Sequence, residues 1–316
     1  MYDTMIIGGG PAGLTAAIYA CRKKMKTLVL TVDIGGQTNL PSNIENYPGV
    51  ESGAGADLMR KFEKQAKKFG AEIKFGKVEK VKKEKDHFLV EMSDKKTYKG
   101  KTVILAYGKV PRKLNIPGED EFMGKGVSTC VTCDAPLFKD KIVAVIGGGN
   151  SAVEGALDLT AIAKKVYLIH RRDEFRADEF GVELAKKEKK IEMVLSSVAK
   201  EIKGDKFVKS IIIESVNNKE KKELKVDGIF VEIGYVVDSS MIKDLVKVNE
   251  FNEIFVNNKC ETSCPGVFAA GDVTAIQFKQ TIIAAGEGGK AALSAHSFLR
   301  GITGASLDWL HYFKKE

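Results

Sequence analysis

Short apolar runs alternate with helical patterns along the chain, and this alternation predicts strand–helix–strand units. Residues 5–7 form an apolar strand that enters a glycine turn at 8–13, and the residues after the turn have helical spacing. A second strand is predicted at 27–30, and a helix with one apolar face at 56–69, ending at Gly70. This order is typical of a doubly wound α/β domain.

The pattern changes between residues 72 and 106, where short alternating runs are separated by lysine-rich turns. Alternation with a period of two is typical of strands that are buried on one face only. We therefore predict a β-meander packed beside the parallel sheet of this first domain.

The same order of elements then recurs. An apolar strand at 142–146, a second glycine turn at 147–152, a helix to about 163 and a strand at 166–169 precede short strands around 191–231. The pattern after Gly234 starts no third unit, because 262–272 leads directly into a long helix at 281–299.

This duplication predicts an α/β fold with two Rossmann-like three-layer nucleotide-binding domains, each with a parallel sheet plus a β-meander, the second inserted into the first. The discontinuous first domain takes residues 1–113 and 244–316, and the inserted domain takes 114–243.

Composition agrees with two domains of ordinary size. The chain has 316 residues, of which 44% are hydrophobic and 29% charged. No stretch approaches the roughly 20 apolar residues of a membrane helix. Because a core strand begins at residue 5, we expect no signal peptide and a cytoplasmic protein.

The net charge of +8 comes from lysines spread along the chain. A basic stripe with a nucleic-acid reading motif is missing, so neither nucleic-acid nor membrane partners are expected.

The two glycine turns are the first chemical signal. Absent side chains allow the tight turn, let backbone N–H groups approach a pyrophosphate, and let helix and strand pack closely. Two merely tight turns are the alternative, but both lie between a strand and a helix in a duplicated frame. The candidate residues are Gly8, Gly10, Pro11, Ala12 and Gly13 in the first turn, and Gly147, Gly149, Asn150 and Ser151 in the second.

The strands that follow each turn differ in what they offer a ribose. The first ends at Thr31, with Asp33 slightly later, where nucleotide folds usually carry an acid. The second is followed by His170, Arg171, Arg172 and Arg176, whose guanidinium groups can fork onto a 2′-phosphate. This predicts NADPH rather than NADH in the second domain, the alternative being a solvated basic loop.

The run from Cys130 to Cys133 is the second chemical signal, because two cysteines at this spacing can close a readily reduced disulfide. Metal binding with Cys260 and Cys264 is the rival reading, although their spacing is loose, and we expect no metal site. Asp134 is either a helix cap or a proton donor to a leaving thiolate.

These motifs together resemble the low-molecular-weight thioredoxin reductases, flavoproteins of the pyridine nucleotide-disulfide oxidoreductase group, over essentially the full chain. The residues that carry the resemblance are 8–13, Gly35-Gly36-Gln37, 45–49, 130–134, 147–152, 170–177 and 262–272.

The resemblance implies FAD in the first domain, NADPH in the second, a homodimer, and a thioredoxin-like disulfide protein as partner. It also implies that Cys133 is the flavin-side thiol, Cys130 the interchange thiol and Asp134 the acid. The implied FAD residues are Gly8, Gly10, Pro11, Ala12, Gly13, Thr31, Gly36, Gln37, Asn46, Gly108, Gly271, Asp272, Lys279 and Gln280.

The chain departs from the family pattern at several positions. Tyr107 stands where a threonine is common, Val237 lies in a segment lacking the usual proline and asparagine, and Lys279 replaces an arginine. Two aromatic roles are open for the tail residues Trp309, Tyr312 and Phe313: covering the flavin edge, or packing in a dimer or surface.

Other functions also remain open at this point. The chain could reduce a peroxiredoxin-type partner, pass electrons to oxygen as a dithiol oxidase, or bind nucleotides as a sensor without turnover. The dithiol followed by Asp134 favours turnover, because a sensor needs no adjacent proton donor.

Overall fold

A computed structural model of the chain describes residues 1–41, 44–242 and 244–302. The chain divides into two compact units, one built from 1–109 together with the segment from Val237 onward, the other from 110–236. The sequence-based boundaries at 113 and 243 lie a few residues farther along the chain than these two crossings. The tail residues Trp309, Tyr312 and Phe313 lie outside the described ranges.

The first unit opens with a strand and a helix joined by the first glycine turn. Its elements up to the first crossing are β1 (Tyr2–Ile7), α1 (Pro11–Arg22), β2 (Thr27–Thr31), α2 (Gly55–Lys68), β3 (Glu72–Phe75), β4 (Val78–Lys83), β5 (Phe88–Met92) and β6 (Thr97–Leu105). The strands form one sheet in the order β3-β2-β1-β6-β5-β4.

Strand β6 joins the parallel and the antiparallel parts of this sheet. It pairs antiparallel with β5 between Thr97 and Gly100, and parallel with β1 between Gly100 and Leu105. With nine residues, β6 is long enough for both. The meander is therefore continuous with the parallel sheet, and the prediction that it packs beside the sheet was wrong.

The second unit repeats the arrangement with a separate meander. Its elements are β7 (Val110–Pro111), α3 (Glu119–Phe122), β8 (Val127–Ser128), α4 (Val131–Asp134), β9 (Ile142–Ile146), α5 (Asn150–Thr160), β10 (Lys165–Ile169), α6 (Glu179–Lys187), β11 (Ile191–Val194), β12 (Ser197–Gly204), β13 (Val208–Ser215), β14 (Lys221–Lys225), β15 (Gly228–Val231) and β16 (Tyr235–Val236). The parallel sheet has the order β11-β10-β9-β15-β8, while β12, β13 and β14 form their own antiparallel sheet.

The returning segment completes the first unit with β17 (Val267–Ala269) and α7 (Thr281–Arg300). Strand β17 pairs parallel with β6. Helix α7 lies directly on α1, since a Cβ on Gly288 would be only 2.0 Å from the Ala12 carbonyl oxygen. Within the described ranges, every helix is too short or too polar to cross a membrane.

Candidate functional site

Cys130 and Cys133 are joined by a disulfide, with their Cα atoms 5.4 Å apart. The single turn of α4 begins directly after Cys130, whose sulfur accepts the Cys133 backbone N–H at 3.2 Å. The Cys130 N–H in turn donates to the Ser128 hydroxyl oxygen at 3.0 Å. Cys133 is exposed and Cys130 half-buried, so the bridge is open to attack from solvent.

The hydrogen bond to the Cys130 sulfur decides which thiol is more acidic. An N–H donor favours the charged form of its acceptor, so the opened pair would carry its thiolate on Cys130. Cys130 also occupies the capping position of α4, and the Asp134 side chain caps neither α4 nor the 3₁₀ turn that follows. The reading of Asp134 as a helix cap was wrong, and the half-buried side chain is left beside the disulfide.

The other cysteines are buried away from this chemistry. Cys21, Cys260 and Cys264 are free and buried, and the Cys260 thiol donates to the Glu287 carbonyl oxygen at 3.6 Å. Burial raises the pKa of Cys260 to about 11, which keeps its thiol protonated. Among the described residues, no three His, Cys, Asp or Glu side chains are grouped to hold a metal ion.

The first glycine turn presents free backbone donors. Gly10 caps α1 with extended backbone and without a side-chain hydrogen bond, and Pro11 starts the helix. A Cβ on Gly13 would lie 1.9 Å from the Gly8 carbonyl oxygen, and Gly8 itself has a φ of +112°. The turn therefore requires glycine at both positions and leaves the N–H groups of α1 open for an anion.

The segment after β2 is fixed by its own side chains. The Thr31 hydroxyl donates to the Asp33 carbonyl oxygen at 2.6 Å, and the Asp33 carboxylate accepts the Gly36 N–H at 2.9 Å. Gly35 donates its N–H to the carbonyl oxygen of Gly9 at 2.8 Å. The Asp33 carboxylate thus shapes the turn, and Gly36 lies next to the nucleotide turn.

The remaining predicted residues of the first unit meet around the same place. The Gln37 amide donates to the Lys109 carbonyl oxygen at 2.9 Å, next to Gly108. The Asn46 amide donates to the side chain of Gln280 at 3.3 Å. A Cβ on Gly271 would lie 3.1 Å from that of Ala12 in the first helix turn.

Glu287 on α7 is a residue that the sequence analysis missed. Its buried carboxylate accepts the Gly271 N–H at 3.0 Å and so fixes the segment that carries Asp272. Burial raises the pKa of Asp272. A single acid within the small-residue run of α7 is the signal that could have identified Glu287.

A cluster of charged side chains, Lys109, Glu253 and Lys279, was also missed except for Lys279. Glu253 accepts from Lys109 at 2.8 Å and lies 3.4 Å from the Lys279 ammonium nitrogen. Lys279 also donates to the carbonyl oxygens of Asp272 and Thr274. Each side chain of the cluster is at most 22% exposed, so these charges depend on one another.

Replacing Glu253 by glutamine is expected to lower the free energy of unfolding by about 1–3 kcal/mol, because two half-buried ammonium groups lose their counter-charge. Burial raises the pKa of Glu253, but hydrogen bonds from Lys109 and Asn249 and the lysine charges outweigh it and lower the pKa overall. The stabilisation is therefore present above the ordinary carboxyl pKa and is lost as pH falls through the lowered value.

Urea unfolding at neutral and acidic pH measures this effect. The exposed neighbour Glu250 provides the control, since Glu250→Gln should leave the unfolding curve unchanged. Equal stability of the parent and the Glu253→Gln variant at neutral pH would contradict the argument.

Two departures from the family pattern are structural in this protein. The Tyr107 hydroxyl is buried and has no hydrogen-bond partner within the described part of the chain, and burial raises its pKa. Val237 is 2% exposed in the core of the first unit.

The second glycine turn is tied to the arginine loop. Gly149 caps α5 without a side-chain hydrogen bond, and a Cβ there would meet nothing within 4 Å. A Cβ on Gly148 would lie 2.1 Å from the His170 ring, and the Arg176 N–H donates to the Gly148 carbonyl oxygen at 2.8 Å. The free N–H groups of α5 and the loop 170–177 therefore lie side by side.

His170 and the three arginines differ in exposure. The His170 ring is 6% exposed and stacks on Phe175, and among the described residues its Nε2 has no hydrogen-bond partner. Burial, followed by the charges of Arg171, Arg172 and Arg176, lowers the pKa of His170, although a backbone hydrogen bond opposes this. The arginines themselves are exposed and can reach an anion.

Asn150 and Ser151 begin α5 and differ in availability. The Asn150 amide donates to the Asp178 carboxylate and accepts the Asp178 N–H, both at 2.8 Å. Ser151 is exposed. The structure thus fixes the Asn150 side chain and leaves the Ser151 hydroxyl beside the free N–H groups.

Comparison with known proteins agrees with this geometry. The family model described as pyridine nucleotide-disulphide oxidoreductase matches residues 2–288. A thioredoxin reductase of Helicobacter pylori is 44% identical and aligns with 95% of this chain and 99% of its own length. None of the dithiol-oxidase, sensor or peroxiredoxin-partner readings is favoured by the most similar relatives.

Solved structures give the same result. The thioredoxin reductase of Lactococcus lactis has a TM-score of 0.83 at 40% identity and covers 95% of this chain and 100% of its own. That of T. acidophilum has a TM-score of 0.80 at 37% identity, with 96% and 99% covered. The uncapped glycine turns fit the FAD and NADPH that this family uses. The chain belongs to the pyridine nucleotide-disulphide oxidoreductases and, among them, to the thioredoxin reductases.

Proposed function

We propose that the protein transfers two electrons from NADPH, by way of FAD and the Cys130–Cys133 disulfide, to the disulfide of a thioredoxin-like protein. The observation that carries this proposal is the solvent-accessible disulfide in a unit that also contains a glycine turn flanked by arginines. When bound, FAD supplies the relay of two electrons between the nicotinamide and the disulfide.

The first unit would bind FAD through the free N–H groups at the start of α1. The side chains of Gln37, Asn46, Asp272 and Gln280 converge near this turn and would orient the cofactor. Because the Thr31 hydroxyl donates to Asp33, it can only accept a hydrogen bond from a ribose. Lys279, held by Glu253 and by carbonyl oxygens, would place positive charge at the same site.

The second unit would bind the NADPH pyrophosphate at Gly147, Gly149 and Ser151, on the N–H groups of α5. Arg171, Arg172 and Arg176 would hold the 2′-phosphate, for which exposed guanidinium groups beside the turn are suited. Neutral His170 could donate or accept one hydrogen bond through its free Nε2.

Exchange with the partner follows from the acidity of the two thiols. The Cys130 thiolate attacks the partner disulfide, an S–S bond forms between the proteins, and the partner's own disulfide bond breaks. Asp134 gives a proton to the departing partner thiolate. Cys133 then attacks Cys130, restores the internal bridge and releases the partner as a dithiol.

Trapping the mixed disulfide tests this assignment. A Cys133→Ser variant keeps Cys130 but cannot release the partner, so it should accumulate a covalent complex with a thioredoxin that retains only its attacked cysteine. A Cys130→Ser variant is the matched control and should accumulate far less complex. Equal trapping by both variants on non-reducing gels would contradict the role of Cys130.

The assembly and location of the protein belong to the same proposal. We expect a homodimer, as the family resemblance implies, and light scattering of the purified protein measures its mass. We also propose a cytoplasmic location, which the free cysteines Cys21, Cys260 and Cys264 support, because free thiols persist in a reducing compartment.

A further inference from the structure

Strand β15 is followed by an acid that none of these roles uses. Glu232 comes directly after the buried run Gly228–Val231, and its N–H donates to the Ile146 carbonyl oxygen at 2.8 Å. A Cβ on Gly147 would lie 2.2 Å from the Glu232 carbonyl oxygen. Glu232 therefore lies at the carboxyl end of the parallel sheet, against the second glycine turn.

The Glu232 side chain points toward the redox disulfide. It is half-buried, and its carboxylate accepts a hydrogen bond from the backbone N–H of Val131. Val131 follows Cys130 directly, and its own side chain is 6% exposed against Gly155 of α5. The acid thus contacts the peptide group that joins Cys130 to α4.

Burial makes this carboxyl group titrate near neutrality. It raises the pKa of Glu232 to about 7, while the Val131 N–H lowers it by a smaller amount. Tyr235 is the titratable neighbour that senses Glu232, and burial and then the Glu232 charge raise the pKa of its phenol. Tyr235 therefore stays neutral, and Glu232 changes charge in the range where thiol exchange operates.

We propose that Glu232 is a positioning residue for the redox pair: its carboxyl group holds the peptide after Cys130 and, through its charge, sets the acidity of the Cys130 thiol once the disulfide is open. A carboxylate beside this peptide opposes the thiolate, whereas the protonated acid does not. The inference rests on the proposed function only in taking Cys130 as the attacking thiol.

The test measures thiol acidity directly, without NADPH or a partner protein. The holoenzyme is reduced with a phosphine, and the rate of Cys130 alkylation by iodoacetamide is followed by mass spectrometry across pH. The parent should show two inflections, because the carboxyl group and the thiol titrate as a coupled pair. Glu232→Gln should show one, with the thiol pKa lower by about one unit.

Matched variants separate charge from structure. Glu192→Gln removes an exposed acid from β11 in the same sheet and should reproduce the parent profile. Glu232→Asp retains a carboxyl group and should retain two inflections. A Glu232→Gln profile that superposes on the parent would overturn the proposal.

A second measurement on the parent decides the question should the Glu232 variants fail to fold. Infrared titration of the carboxyl groups in the oxidised and reduced protein should show a midpoint near neutrality that rises on reduction, because a nearby thiolate opposes ionisation. A midpoint unaffected by reduction would overturn the proposal. Failure to reduce thioredoxin would instead contradict the proposed function and leave both profiles intact.

Discussion

Replacing either Cys130 or Cys133 by serine is expected to lower NADPH-dependent reduction of a thioredoxin-like partner by at least about 10³-fold. Serine cannot form the disulfide, so electrons have no covalent path to the partner. The measurement is partner reduction coupled to a thiol reagent, at saturating NADPH and with the FAD content of each variant determined.

The same variants should still pass electrons from NADPH to an artificial dye, because the nucleotide sites lie outside the disulfide. Cys264→Ala is the matched control, since it removes a buried free thiol and leaves the disulfide intact. Serine variants that reduce the partner as fast as the parent would sink the assignment, whereas loss of both activities would point to loss of FAD.

Much of the fold could be predicted because its signals are local. The glycine turns between strands and helices, the helix 56–69 and the long helix after Gln280 all follow from periodicity and from glycine at sterically closed positions. The structure has these helices as Gly55–Lys68 and Thr281–Arg300. The position of the meander could not be predicted, because pairing of β6 with both β5 and β1 is a long-range choice.

The candidate site shows the same division between local and long-range information. Cys130 and Cys133 were predicted as a pair by spacing alone, and the structure has them bridged. The roles of Glu232 and Glu253 could not be read from the sequence, because each depends on contacts with distant segments: Glu232 with Val131, and Glu253 with Lys109. A lone acid in an apolar run signals burial but does not name its partner.

Replacing Arg171 and Arg172 together by alanine is expected to remove the preference for NADPH over NADH. Each charge-assisted contact with the 2′-phosphate contributes on the order of 1.5–3 kcal/mol, so the NADPH dissociation constant should rise by at least about 10²-fold. NADH lacks that phosphate, and its dissociation constant should change little. Equilibrium titration of both nucleotides by quenching of protein fluorescence gives the two constants directly.

Loss of charge alone must be separated from loss of these contacts. Lys221 and Lys222 form an adjacent, exposed basic pair on β14 of the same unit, so alanine at both positions removes the same charge elsewhere. That variant should keep the parent's NADPH preference, and its small change in affinity should vanish at high salt because long-range charge effects are screened. An arginine variant that still prefers NADPH as strongly as the parent would place the 2′-phosphate away from loop 170–177, and Arg176 would lose its proposed role as well.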